Sequence, residues 1–162
     1  MVKYMKITVV CAGKIKEKYF TAAIDEYKKR LSRFASLEIT EIPDEKIPQG
    51  ASEKEEDAIK RREGEAMLAK IKPGSYVIAM CIEGKELGSE GLAQKLEEVM
   101  LRTSHVTFVI GGSLGLSDEI KARADLNLSF GKITLPHQLM RVVLLEQIYR
   151  AFKINANESY HK

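Results

Sequence analysis

The sequence is short of cysteine, of histidine and of long apolar runs. Its 162 residues hold two cysteines and three histidines. Cys11 and Cys81 stand in strand-like apolar runs, so they read as reduced core residues of a cytoplasmic protein, not as a disulfide. His105, His137 and His161 do not fall at metal-ligand spacing with each other or with the cysteines, so no metal is expected. No stretch of about eighteen apolar residues exists, which excludes a membrane-spanning helix. The opening "MVKYMKITVV" has too short an apolar stretch, and no small-residue cleavage site, for a secretory signal. "MKITVVCAGK" opens well on its own, which makes Met1 to Tyr4 a start-site extension of one domain covering 1–162.

Two nucleotide signatures are also missing. Without G-x-G-x-x-G, a Rossmann dinucleotide or ordinary Rossmann methyltransferase site has no support; without G-x-x-x-x-G-K-[ST], neither has a P-loop. Charge is nearly balanced, with 26 Lys+Arg against 23 Asp+Glu. The cations are grouped, however: Lys14, Lys16 and Lys18, then Lys28, Lys29, Arg30 and Arg33, then Lys60, Arg61 and Arg62. Any one group reads as a solvated helix face. Together they admit a phosphate-contacting surface.

What is present is an alternation of strands and helices. Met5 to Cys11 reads as a strand. Phe20, Ile24, Tyr27, Leu31 and Phe34 form one helical stripe. Leu37 to Ile42 alternates as a strand does, and "PDEKIPQGASEKEED" is a polar loop. Glu53 to Lys72 is a charged helix ending at Pro73-Gly74. "SYVIAMCI" and Val106 to Ile110 are strands buried on both faces. Between them Ser89 caps a helix carrying Leu92, Leu96 and Val99. A helix starts near Ser117, Leu126 to Phe130 is a short strand, and the last helix runs from Pro136 to Ile154. This order predicts an α/β fold, a mostly parallel sheet with helices on both faces. Ligands of such sheets sit beyond the carboxyl ends of the strands. The loops after Ile82, Ile110 and Phe130 therefore become the functional search area. They carry Gly84 and Gly88, then Gly111, Gly112 and Gly115, then Gly131.

"GGSLG" at Gly111 to Gly115 matches the G-x-S-x-G nucleophile elbow of serine hydrolases. That elbow needs the helix to start right after the serine. Here the cap is Ser117 and Gly115 intervenes, so Ser113 stays inside a loop. No HGGG-type oxyanion segment is visible. A backbone-lined cradle for a flat polar ligand fits the segment better than a Ser113 nucleophile.

The final third reads "ITLPHQLMRVVLLEQIYRAFKINANESYHK". On a helical wheel Glu146, Arg150 and Lys153 share a polar face, and Arg141 falls with Leu145, Ile148 and Phe152. A helix so apolar around its circumference is buried, in the core or against a partner chain. Arg141 then needs a partner. It is either one half of a structural ion pair or an arginine lining a site at a subunit interface.

At "VIGGSLGL", "ITLPHQLMRVVLLEQIYRAFKI" and the terminal "YHK", the sequence resembles the RlmH family, SPOUT-class methyltransferases of large-subunit ribosomal RNA. The likeness extends to "MKITVVCAGKIKEKYFTAAIDEYKKRL", "IPDEK" and "GSEGLAQKL". The resemblance implies a C-terminal trefoil knot, which ordinary topology rules exclude. It also implies a homodimer that binds S-adenosylmethionine and methylates N3 of a pseudouridine at the ribosomal subunit interface. By position, the family's cofactor contacts fall on Met80, Gly111, Phe130, Gly131, Lys132, Ile133, Thr134 and Leu135. Met80 departs from the leucine often found there. Tyr160 and His161 match the family's closing motif, and His137, Arg141, Tyr149 and Arg150 match its helix. Methylation at N3 requires loss of a weakly acidic proton. On the resemblance, His161 is the expected base. Tyr160 is expected to position the acceptor, Arg141 to hold a phosphate or carbonyl, and His137 to be structural. The competing reading is a ribosome-associated RNA-binding module with a vestigial nucleotide pocket.

Overall fold

The computed structural model describes residues 4–162, so most of the start-site reading lies outside the described residues. The elements are β1 (Met5–Ala12), α1 (Lys18–Leu31), β2 (Ala35–Ile42), α2 (Glu53–Leu68), β3 (Tyr76–Glu86), α3 (Ser89–Met100), β4 (His105–Ile110), α4 (Asp118–Arg123), β5 (Leu126–Ser129) and α5 (His137–Asn155). All five strands pair in parallel, in the order β2-β1-β4-β3-β5. The chain leaves β1 toward β2 and leaves β4 toward β5 on the opposite edge. The topological switch therefore lies between β1 and β4, where the crevice of an open parallel sheet forms.

Alternation along β1 divides two cores. Met5, Ile7, Val9 and Cys11 pack with α1, α3 and α5, while Val10 and Ala12 pack with α2 and α4. A strand covered on both faces reads as a continuous apolar run for this reason. Helix starts follow local chemistry. Ser52 and Glu55 form a reciprocal capping box at α2, with Glu53, Glu55 and Glu56 in the first turn. The Ser117 hydroxyl accepts the Ile120 N–H at 3.3 Å and starts α4. Such a cap contributes about 1 kcal/mol.

Several element ends differ by one to three residues from the sequence reading, α1 stopping at Leu31 short of Phe34 and β2 starting at Ala35, and three further differences bear on packing. The helix expected to reach Lys72 ends at Leu68. Ser89 is the first helical residue and Gly88 the cap; the Ser89 hydroxyl instead donates to Gln147 Oε1 at 2.6 Å, tying α3 to α5. β3 continues four residues past Ile82. Its pairing with β5 slips between Met80 and Lys85, both of which oppose Leu128. Gly84 permits this, because a Cβ there would lie 2.6 Å from the Asn127 carbonyl oxygen. Gly84 thus serves a close strand approach and not a loop.

Candidate active site

Three chain segments leave the carboxyl ends of strands β4, β5 and β1. The first is the turn after β4. Gly115 N–H donates to the Gly112 carbonyl at 3.0 Å, with Ser113 and Leu114 at the tip. Gly115 takes φ +84°, a left-handed conformation that favours glycine. A Cβ on Gly111 would stand 2.7 Å from the carbonyl carbon and oxygen of Gly115. The doubled glycine therefore lets the turn close on itself. Ser113 is exposed at that tip and makes no hydrogen bond to a histidine among the described residues.

The second segment follows β5. The Ser129 hydroxyl accepts from the Gly131 N–H and donates to the Gly131 carbonyl, both at 3.1 Å, and Gly131 sits at φ +113°. Beyond it, Lys132 to Leu135 make no backbone hydrogen bond among the described residues. Backbone groups left free in this way are available to a polar ligand. Ile133 is 80 % exposed in the same stretch, and Met80 lies buried at the end of the regular β3 pairing. The eight residues singled out for a cofactor thus fall on a buried strand end, a self-closing glycine turn and the segment after β5, where Ser129 holds Gly131 and the backbone from Lys132 to Leu135 is unpaired. Their chemistry fits a flat, polar-edged group with an apolar arm, and among the described residues no group of His, Cys, Asp or Glu could hold a metal.

The third segment follows β1 and escaped the sequence reading. Gly13 takes φ +84°, and the carboxyl group of Asp44 lies 3.4 Å from where its Cβ would be. A Cβ on Gly112 would be 3.3 Å from Asp44 Oδ1 and 3.4 Å from Glu63 Oε1. Glu63 is buried and accepts the Glu45 N–H at 3.1 Å. Burial raises its carboxyl above the ordinary range and the Glu45 N–H opposes this; the neighbouring Asp44 and Glu45 carboxylates add to the rise. The signal was legible: Glu63 shares the buried stripe of Ile59 and Met67, four residues to either side.

Arg141 is only 2 % exposed. Its Nη1 donates to Glu41 Oε2 at 2.7 Å, and its Nη2 to the carbonyls of Ala12 and Gly13 at 2.9 and 2.7 Å; Nε has no partner. Of the two readings open for this arginine, the geometry within the protomer is the internal ion pair. Arg141 clamps the ends of β1 and β2 to the second turn of α5. Breaking a buried pair of this kind costs about 3–5 kcal/mol, less here because Glu41 is one-third exposed. Beside it, burial pushes the Cys11 thiol up to about 11, so it stays protonated.

The tail forms a separate cluster on α5. After the helix the chain reverses at Asn157 (φ 56°), and the Glu158 N–H returns to the Lys153 carbonyl at 3.0 Å. Glu158 is held by Arg33 through two bonds of 3.0 and 2.7 Å and by Lys153. Tyr160 then folds back along the helix. Its hydroxyl donates to Glu146 Oε1 at 2.7 Å, and its ring lies edge-on to Tyr149 and under Arg150. Burial, then the Glu146 hydrogen bond and charge, push the Tyr160 phenol up to about 12. It is therefore a donor at neutral pH and not a base. Arg150 Nη1 donates to His161 Nδ1 at 3.2 Å, and Nε2 faces Glu90 at 3.5 Å. Glu146 joins Tyr160 and Arg150 in one network. The structure brings Tyr160 and His161 together on α5; neither hydrogen-bonds to the glycine turns or to Arg141 of the same protomer.

A five-stranded parallel sheet with glycine turns above the switch point and an unpaired backbone run before its last helix defines a nucleotide-type α/β enzyme scaffold. A family model described as a predicted SPOUT methyltransferase matches residues 5–161. Ribosomal RNA large subunit methyltransferase H 1 of Clostridium perfringens (strain SM101 / Type A) is 58 % identical over 159 residues, covering 98 % of this chain and all of that protein. Proteins named ribosomal RNA large subunit methyltransferase H from Clostridioides difficile (strain 630) and Bifidobacterium animalis subsp. lactis (strain AD011) are 56 % and 55 % identical over the same lengths. The chain belongs to this family of SPOUT methyltransferases. A solved probable methylase family protein from Haemophilus influenzae Rd KW20 shares the fold at a TM-score of 0.52 and 13 % identity, over all of this chain and 72 % of that one.

Proposed function

We propose that this protein transfers a methyl group from S-adenosylmethionine to N3 of a pseudouridine in large-subunit ribosomal RNA, without a metal and as a homodimer. The observation that carries this reading is the free backbone of Lys132 to Leu135 after β5, together with the self-closing Gly111 turn after β4 and Met80 at the end of the regular β3 pairing. The names of the relatives supply the RNA class. Gly111 and Phe130 to Leu135 would hold the cofactor by backbone, with Met80 as an apolar contact. The bound cofactor supplies a methyl group already activated on a sulfonium.

The remaining work falls to the protein. It aligns the acceptor ring and removes its N3 proton. Arg141 takes a positioning role in this account, because its buried guanidinium holds the end of β1 against α5. The tail supplies Tyr160 and His161. In the docked state Arg150 occupies His161 Nδ1, so the remaining ring proton lies on Nε2. His161 becomes a base only when the tail leaves Arg150, which is compatible with delivery to a partner subunit's cofactor. The family's knot belongs to the same proposal.

Titration calorimetry with S-adenosylmethionine and S-adenosylhomocysteine, in the presence of a chelator, tests the reading. One cofactor per chain is expected with the chelator present. No binding of either ligand favours the RNA-binding module with a vestigial pocket.

The last helix was open to burial in the core or against a partner chain, and its strongest apolar face goes to the core. Leu145 and Ile148 are already buried inside the protomer, so charged residues there would unfold it. Leu139 and Val143 are half-buried, four residues apart on α5, and belong to neither core cluster. Val143→Asp is expected to give a folded monomer with unchanged circular dichroism. A wild type that sediments as a monomer at micromolar concentration contradicts the dimer.

A further inference from the structure

A second charged region lies at the opposite end of the sheet, below the amino ends of β3, β4 and β5. A cleft of about 360 Å³ opens there between three loops, walled by Ser75, Tyr76, Arg102, Thr103, Arg123 and Asp125. Asp125 is its one acid, and it is engaged. Its Oδ2 accepts the Val77 N–H at 2.8 Å and lies 3.6 Å from Arg123. Arg102 is exposed and has no carboxylate within ion-pair distance among the described residues.

Two lysines extend the same rim. The Lys6 N–H donates to the Ser104 carbonyl at 2.7 Å, next to Thr103, and the Lys72 carbonyl accepts the Ser75 N–H. Neither ammonium forms an ion pair among the described residues. The two crowd each other: Lys72 pulls Lys6 below the ordinary lysine range, and Glu38 opposes this only in part. His105 stands beside them with its Nε2 against the Thr8 hydroxyl at 2.9 Å; burial first, then Lys6 and Lys72, lower it. The four cations, Arg102, Arg123, Lys6 and Lys72, outnumber the two acids beside them, Asp125 and Glu38, and such an excess of positive charge stabilises a site for an anion. The eight residues of β1 separate this end from the glycine turns by roughly 25 Å. It therefore cannot be part of the cofactor cradle.

We infer that this cleft, walled by Arg102 and Arg123 and extended by Lys6 and Lys72, docks a backbone phosphate of the RNA substrate. The inference rests on the proposed action on ribosomal RNA. Arginine forks and lysine point charges match phosphate oxygens. Contacts of this kind fix register and orientation on the RNA and carry no sequence information. They lower the substrate concentration needed without touching the methyl-transfer step.

The test is a triple variant, Lys6→Gln, Lys72→Gln and Arg102→Gln, assayed on large ribosomal subunits with labelled S-adenosylmethionine. Lys72 and Arg102 are exposed and Lys6 half-exposed, so folding is retained. The KM for the subunit is expected to rise about tenfold or more. The slope of log(kcat/KM) against log salt should become shallower by about 2, from three lost contacts. Saturating kcat and cofactor affinity should match the wild type. An unchanged KM and salt slope, or a loss confined to kcat, overturns the docking site. A photo-reactive residue in place of the exposed Leu101 should crosslink to RNA; crosslinking to a ribosomal protein, or none at all, also overturns it. If the wild type transfers no methyl to the RNA in this assay, the proposed function falls and the docking site with it.

Discussion

Removing Tyr160 to Lys162 is expected to leave a folded protein that binds cofactor normally and transfers methyl groups about 10²–10⁴-fold more slowly, the usual loss when a general base is removed. The structure separates the two effects. The contacts that fasten the chain end, Glu158 with Arg33 and Lys153, lie before the cut. What is lost is the outer layer on α5, the Tyr160 bond to Glu146 and the Arg150 bond to His161. No core residue is among these. His161→Ala should give most of the defect, with partial relief at high pH, where the acceptor proton leaves more readily. Full activity of the truncated chain on ribosomal subunits removes the tail from the mechanism and turns attention to Arg141 and His137.

Gly111→Val is expected to abolish cofactor binding, with a loss of at least about a hundredfold. A Cβ there would stand 2.7 Å from the Gly115 carbonyl, and the obstacle is backbone. The turn must open, and with it the cradle is lost. The obstruction is therefore the protein's own turn and does not need the ligand to be present. Ser113→Ala, at the exposed tip of the same turn, is the control and should keep methyl transfer within a few-fold. A folded Gly111→Val variant with wild-type affinity moves the cofactor elsewhere, and a dead Ser113→Ala would reopen the hydrolase elbow.

Most of the fold was legible because strand and helix periods do not resemble each other. The β1 run and the Phe20-to-Leu31 stripe each admit one reading, and the alternation along the chain predicts the parallel sheet. Strand order is another matter. Placing β4 between β1 and β3 depends on long-range pairing that no local pattern encodes. The slip in β3 past Met80 was hidden because Gly84 reads as a turn residue until its neighbour Asn127 is known.

The candidate site was legible in parts. The loops after Ile110 and Phe130 stood out as glycine-bearing strand ends, while the bounds 130–135 came from the family resemblance. Glu63 could have been found from its place on the Ile59 and Met67 stripe, but Asp44 could not, and the meeting of the two behind Gly112 is tertiary. Arg141 was rightly marked as a buried charge in need of a partner, but Glu41 lies a hundred residues away. The self-docked tail could not be foreseen either, since its order depends on Glu146 and Arg150 presenting one continuous face.

Mass mapping of ribosomal RNA from cells lacking this protein, with and without complementation, tests the central claim most directly. The account predicts one large-subunit pseudouridine that lacks a methyl group in the deleted strain and regains it, on N3, when the gene is returned. An unchanged methylation map, or a restored methyl on any base other than a pseudouridine, contradicts it.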